Sequence, residues 1–275
     1  MIIRIGYDIV FNLPSPAPMV LMLHVFPSLG ARLKTPEFLS IEPNLPLELY
    51  LDRFGNQCSR ISAPLGDLRL AYDNRIELPD EPEPAFPDAR QHPVEELPFG
   101  TLEFLLPSRY CESDRLADIA WALFNESPPG WSRVQAVCDW VFANVEFGYE
   151  YARPSKTAWD VYQERRGVCR DFMHLALTFC RCLNIPARYA TGYLGDIGVP
   201  PDGLDMDFSA FFEVFLEGSW HPFDARHNVR RVGRVKMGQG RDAADVALTT
   251  TFGVSNLVSF KVVTDEEKNL SWRTR

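Results

Sequence analysis

Cys169 occupies a position where a thiol can do chemistry. In the stretch RRGVCRDFMHLALTFCRCLNIPARY, Arg165 to Tyr189, it follows a Gly-Val pair and stands directly before an apolar run of helical spacing. A cysteine that only fills space falls inside the apolar face of a helix, where it behaves as a small hydrophobe. This one falls at the entrance. Free backbone N–H groups and the macrodipole at a helix start stabilise an anion. For a thiol, that raises the fraction of thiolate, the nucleophilic form. Arg165, Arg166 and Arg170 are near in sequence and add positive charge. A lowered thiol pKa and attack on a carbonyl carbon are therefore expected. Space-filling at a helix end is the competing reading, and position alone does not separate the two.

The element that must hold Cys169 is a helix. Phe172, Leu175, Ala176, Phe179 and Leu183 form one apolar stripe, and Met173, Leu177 and Cys180 widen it. A helix apolar over so much of its girth is largely buried. It must end near Asn184, because Pro186 cannot continue it. Upstream, Leu116, Ile119, Ala120 and Leu123 mark one helix, and Val134, Val137, Cys138, Val141 and Val145 a second. A short third helix starts at Ser155 or Thr157 and stops by Gly167. Strand-like runs follow: ARYATGYL, FSAFFEVFLEG, SWHPFDAR, DVALTTTF and LVSFKVV. Helices first and strands afterwards predict an α+β domain, with the helices packed on an antiparallel sheet.

Before residue 79 the signals are β. MIIRIGYDIVF, PMVLMLHVFP and LRLAY read as strands separated by Pro and Gly, which suggests a small sandwich. Pro79 to Pro98 is acidic and rich in proline, which blocks both helix and central strand, so it reads as a connector. The expected division is residues 1–98, an N-terminal β domain with its connector, and residues 99–275, a second domain that includes the C-terminal strands.

The composition excludes several classes. The net charge of −9 opposes a nucleic-acid or anionic-membrane partner, since both need a basic face. No apolar run approaches the roughly 20 residues of a membrane span. Six cysteines scattered over 275 residues are not a disulfide framework, and none of their spacings suits zinc. A reducing, cytoplasmic location is expected, with no metal and no cofactor.

GVCRDFMHLALTFCRCLNIPARYATGYL, followed by DFSAFFEVFLEGSWHPFDARHN, closely resembles the transglutaminase-like superfamily, in its bacterial branch described as candidate cysteine proteases. The resemblance runs from about Leu105 to Phe252, and the N-terminal sandwich looks like the β domain that precedes the core in that branch. It implies a papain-like α+β core: a nucleophilic cysteine on a helix N-terminus, with a histidine and an aspartate on adjacent strands. Carried onto this chain, the nucleophile is Cys169 and the aspartate is Asp224. The histidine is expected just before Ala210, where this chain has Ser209.

A serine cannot hold a thiolate or return a proton to a leaving amine near neutral pH. Three accounts remain: another histidine substitutes, the site works with Asp224 and water alone, or the cleft has kept binding and lost chemistry. His24 and His92 lie in the N-terminal region and read as structural or surface residues. His174 is about 140° around the helix from Cys169. Strand alternation turns His221 away if Asp224 faces the site. His227, three residues after Asp224 where the strand ends, is the candidate, provided the chain folds back. Asp171 suits a helix first turn or pairs with an arginine. Glu213 either reaches the cleft or forms a buried ion pair. The basic run from Arg226 to Asp242 reads as a solvated loop.

The expected function is hydrolysis or acyl transfer at a peptide or protein amide through a thioester on Cys169, with backbone N–H groups at the helix start stabilising the oxyanion. Hydrolysis is preferred. The alternative is a catalytically impaired peptide-binding or scaffold protein. A metallo-amidase is a distant third. No oligomeric state is read from the sequence.

Overall fold

Ile3, Ile5, Tyr7, Ile9, Phe11 and Leu13 occupy every second position and are all buried, the period of a strand covered on one face. In the computed structural model, which describes residues 1–200, 203 and 206–267, they line β1 (Ile2–Leu13). The N-terminal region continues with β2 (Ala17–Leu21), β3 (Ser40–Glu42), β4 (Glu48–Leu51), β5 (Gln57–Ala63) and β6 (Gly66–Glu77). Next come helices α1 (Phe99–Leu102), α2 (Ser113–Phe124) and α3 (Trp131–Asn144), then β7 (Glu146–Phe147), α4 (Ala158–Glu164) and β8 (Arg166–Gly167). Helix α5 (Cys169–Cys182) is followed by β9 (Ala187–Tyr193), β10 (Ser209–Leu216), β11 (Ser219–Phe223), β12 (Val235–Gly240), β13 (Thr249–Thr251) and β14 (Asn256–Glu266).

Two four-stranded sheets, β14-β1-β6-β3 and β13-β2-β5-β4, enclose one apolar core that includes Ile5, Met19, Leu21, Ile61 and Leu70. Strands β13 and β14, which the sequence groups with the second region, are hydrogen-bonded to the first. Thr249 pairs with Leu21, and Ile3 with Glu266. Strand β6 takes one edge of β1, and β14 satisfies the backbone groups of the other.

The α+β core is the antiparallel sheet β11-β10-β9-β12 with helices on one face. Ala210, Phe212, Val214 and Leu216 of β10 alternate inward and join the core of α5, which also packs on α2, α3 and α4. The basic run is not a solvated loop. Its second half forms β12 at the sheet edge, paired to β9, and Val235 and Met237 are buried against the sandwich. Arg231 and Arg234 are buried with them. The apolar residues between the arginines drive this, because they alternate as a strand requires.

The proline-rich connector includes a short 3-10 helix, Val94–Glu96, and its backbone is bonded to other parts of the chain at several points. Glu83 N–H donates to Arg231 O, Trp131 N–H to Ala89 O and Glu217 N–H to Arg90 O. Among the described residues, no helix is long and apolar enough to cross a membrane.

Candidate active site

Helix α5 begins at Cys169, as the sequence predicts. The Gly-Val pair before it has a steric reason. A Cβ at Gly167 would lie 2.7 Å from the Asp171 Cβ and 2.8 Å from its Oδ2. Asp171 is fully buried and does both things expected of it. Its Oδ2 accepts the Val168 N–H at 3.0 Å, and its Oδ1 pairs with Arg170 at 2.9 Å. With the Asp171 N–H donating to Val168 O at 2.8 Å, the contact is reciprocal and closes the helix start.

The chain leaving β11 folds back. Asp224 Oδ1 accepts the backbone N–H of Arg226 at 3.1 Å and of His227 at 3.0 Å, while Asn228 N–H donates to Asp224 O at 2.9 Å. Asn228 has φ +51°, the left-handed conformation that asparagine tolerates. Its amide is tied to α3 through Gln135 and Asp139 at 2.9 and 2.8 Å. The turn places His227 Nδ1 2.9 Å from Asp224 Oδ2. Arg234 reaches the same oxygen at 3.3 Å. The Asp224 side chain is 2% exposed and that of His227 is 22% exposed. Burial pushes the Asp224 carboxyl up. The hydrogen bond from His227 and the charge of Arg234 outweigh it and hold the carboxyl well below the usual carboxylate range.

Cys169, Ser209 and His227 line one cleft, with Asp207, Arg226 and Arg231 among its other walls. A carboxylate can only accept, so His227 Nδ1 carries its proton toward Asp224 and Nε2 is left as the proton-exchanging nitrogen. The other histidines are placed elsewhere. His174 Nε2 accepts the Ala243 N–H at 3.1 Å, His92 Nε2 accepts the Gly218 N–H at 2.9 Å, and His221 is buried between Phe86 and Trp131. His24 bonds Ser59 and Glu37.

The thiol itself departs from the helix-start expectation. Burial pushes the Cys169 pKa up, and Asp207 adds to this. The N–H groups of Ala210 and Arg170 and the charge of Arg226 oppose it without reversing it. The arginines adjacent in sequence are spent elsewhere: Arg165 stacks on Trp140 and Tyr162, Arg166 on Tyr151, and Arg170 pairs with Asp171. Arg226, over Phe147 at 3.8 Å, is the cation that reaches the thiol. Only its place two residues beyond Asp224 could have signalled it. A thiol held protonated by burial needs a neighbouring base to become a nucleophile.

Glu213 forms the buried ion pair, with Arg188 at 2.6 Å and Lys236 at 3.0 Å, and does not line the cleft. Cys169 is half-buried, and the other five cysteines are buried and free. Among the described residues, no group of three or more His, Cys, Asp or Glu side chains is arranged to hold a metal ion.

The chain matches the transglutaminase-like superfamily over residues 119–225, a span that contains Cys169, Ser209 and Asp224 and stops short of His227. The crystal structure of a candidate cysteine protease from Cytophaga hutchinsonii matches with a TM-score of 0.82 and 33% identity, covering 96% of this chain and 90% of that one. An uncharacterised protein of Mycobacterium leprae is 28% identical over 152 residues, 53% of each chain, so this chain spans about half the length of that relative.

Proposed function

Because the chain belongs to the transglutaminase-like superfamily, we propose that it cleaves amide bonds of a peptide or protein through a thioester on Cys169, with His227 as base and Asp224 as the carboxylate that orients it. At the level of the family, a cysteine-based hydrolase or acyl transferase is supported. One observation carries the finer reading: the cleft that contains Cys169 also contains an imidazole whose Nδ1 is engaged by a buried carboxylate.

In the proposed cycle, His227 Nε2 takes the thiol proton as Sγ attacks the amide carbonyl carbon. Backbone N–H groups at the start of α5 stabilise the oxyanion. The imidazolium gives its proton to the departing nitrogen, the C–N bond breaks and a thioester remains. Water, deprotonated by the same nitrogen, attacks the thioester. The acid product leaves and the thiol regains its proton. An amine in place of water would give transfer. Hydrolysis is preferred because the similar structure is described as a candidate protease.

Ser209 in the cleft favours a second reading, a peptide-binding protein that has lost chemistry. Alkylation by limiting iodoacetamide as a function of pH, mapped by mass spectrometry, separates the two. Burial disfavours the Cys169 thiolate, so reaction well below pH 8 needs an activating group, and the same fast reaction in His227→Ala would assign that role to the helix start or another base. The enzyme reading expects Cys169 to stand out among the six cysteines at pH 6 and to slow in His227→Ala. Equal slow reaction in both proteins, rising only near the ordinary thiol pKa of about 8.5, leaves the binding protein.

A further inference from the structure

We propose that Glu83, in the proline-rich connector, is a positioning residue for the His227–Asp224 pair and acts through Arg234. This deepens the proposed function and rests on His227 and Asp224 being the working pair. Glu83 Oε1 accepts the Arg234 Nε–H at 2.7 Å, and the Arg234 Nη2 lies 3.3 Å from Asp224 Oδ2. That oxygen also takes the His227 Nδ1–H at 2.9 Å. Four side chains thus form one row, Glu83, Arg234, Asp224 and His227, in which the first three alternate in charge. The Arg234 side chain is 5% exposed, and its guanidinium lies over the Phe211 ring at 4.5 Å.

Asp224 Oδ2 has two competing donors. Arg234 holds the longer bond because Glu83 draws it from the other side. If the Glu83 charge is removed, a buried guanidinium is left with one carboxylate. Closing on Asp224 is then its best remaining ion pair, and the imidazole loses its acceptor. The connector is built for this contact. Besides the carboxylate, Glu83 gives its N–H to Arg231 O at 2.9 Å, and its own O accepts from Arg230 Nη1 at 3.0 Å. Glu83 does not line the Cys169 cleft; among the groups that share that cleft with His227, it touches Arg231, whose backbone N–H donates to Glu83 Oε2 at 3.3 Å.

The test uses the full chain with nitrogen-15 histidine. The Nδ1–H proton of His227 is followed as a downfield resonance, identified by its disappearance in His227→Ala, and Cys169 alkylation at pH 7 is measured in parallel. The resonance is expected in the wild type, lost in Glu83→Gln, and restored in Glu83→Gln with Arg234→Met, where the competing donor is gone and Asp224 Oδ2 is left to the imidazole. Alkylation is expected to fall about fivefold in the single variant and recover in the double one, the scale of coupling within one buried network. Glu83→Asp keeps the charge but shortens its reach toward Arg234, so it replaces Glu83→Gln if that variant does not fold, with a partial loss of the resonance expected. A resonance absent from the wild type, unchanged in the single variant, or not recovered in the double variant overturns the proposal. An inert Cys169 beside an intact, Glu83-dependent resonance defeats the proposed function and leaves this inference standing.

Discussion

His227 Nδ1 lies 2.9 Å from Asp224 Oδ2 although the two residues are three apart at the end of a strand, where extended chain would separate them by about 10 Å. The Asp224 carboxylate makes this possible by accepting backbone N–H groups from the turn with one oxygen and the imidazole with the other. One side chain therefore both builds the turn and polarises the histidine.

Asp224→Asn is expected to slow Cys169 alkylation at pH 7 by about a hundredfold, the scale of a lost general base. It should also destabilise the protein by about 2 kcal/mol at pH 7. The sign follows from the depressed carboxyl. Its stabilisation is complete above the unfolded value of about 3.9 and is lost as pH falls through the lower folded value. Urea unfolding at pH 7 and at pH 3 should show the gap between wild type and variant narrowing in acid. A gap of the same size at both pH values means that the charge of Asp224 is not its source.

Ser209 and His227 share the cleft with Cys169, so an imidazole at either position should serve the thiol. His227→Ala is expected to lower Cys169 reactivity at pH 7, and adding Ser209→His to it should recover the rate to within about tenfold of the wild type. Iodoacetamide kinetics on the single and double variants measure this. No recovery in a folded double variant would mean that position 209 does not deliver a base to Cys169.

The helix carrying Cys169, helices α2 to α4 and strands β9, β10, β11, β13 and β14 are legible in the sequence, because their signals are local, whereas β12 is hidden in the basic run. The hidden part of the site depends on distant pairing or on turn geometry. His227 reaches the cleft only because Asp224 caps the turn and Asn228 takes a left-handed conformation, and no periodicity reports either. Arg234 meets Glu83 across 151 residues, which makes the proline-rich connector look empty of function from its composition. The pairing of β14 with β1 is hidden for the same reason. The expected lowering of the Cys169 pKa follows from the helix start alone, whereas burial, a property of the whole fold, decides its direction.

Asn228 carries a separate prediction. At φ +51°, a β-branched residue pays a steric penalty that glycine does not, so Asn228→Val should cost about 1–2 kcal/mol. It should also slow Cys169 alkylation by releasing the turn. Asn228→Gly keeps the backbone and loses the ties to Gln135 and Asp139. Thermal unfolding should therefore rank wild type above Asn228→Gly above Asn228→Val. Equal losses in the two variants would assign the effect to the side-chain ties and not to the backbone.

His174 gives a pH effect in a different window from Asp224. It is fully buried and stacked on Tyr110 at 5.1 Å, and its Nε2 accepts the Ala243 N–H at 3.1 Å. An acceptor nitrogen must be unprotonated. Burial first, then the charges of Arg170 and Arg181, push its pKa well below the ordinary histidine value. The unfolded chain therefore binds a proton below about pH 6.5 that the folded chain refuses. Stability is retained above that pH and falls below it, by up to about 1.4 kcal/mol per pH unit for one proton. His174→Gln keeps an acceptor for Ala243 and removes the titration. Urea unfolding between pH 7 and pH 5 should show the wild type losing stability while the variant stays nearly flat and declines only below about pH 4, where the unfolded chain begins to protonate Asp224. Parallel slopes between pH 7 and pH 5 would mean that the imidazole takes up its proton inside the fold and that the Ala243 contact does not hold it neutral.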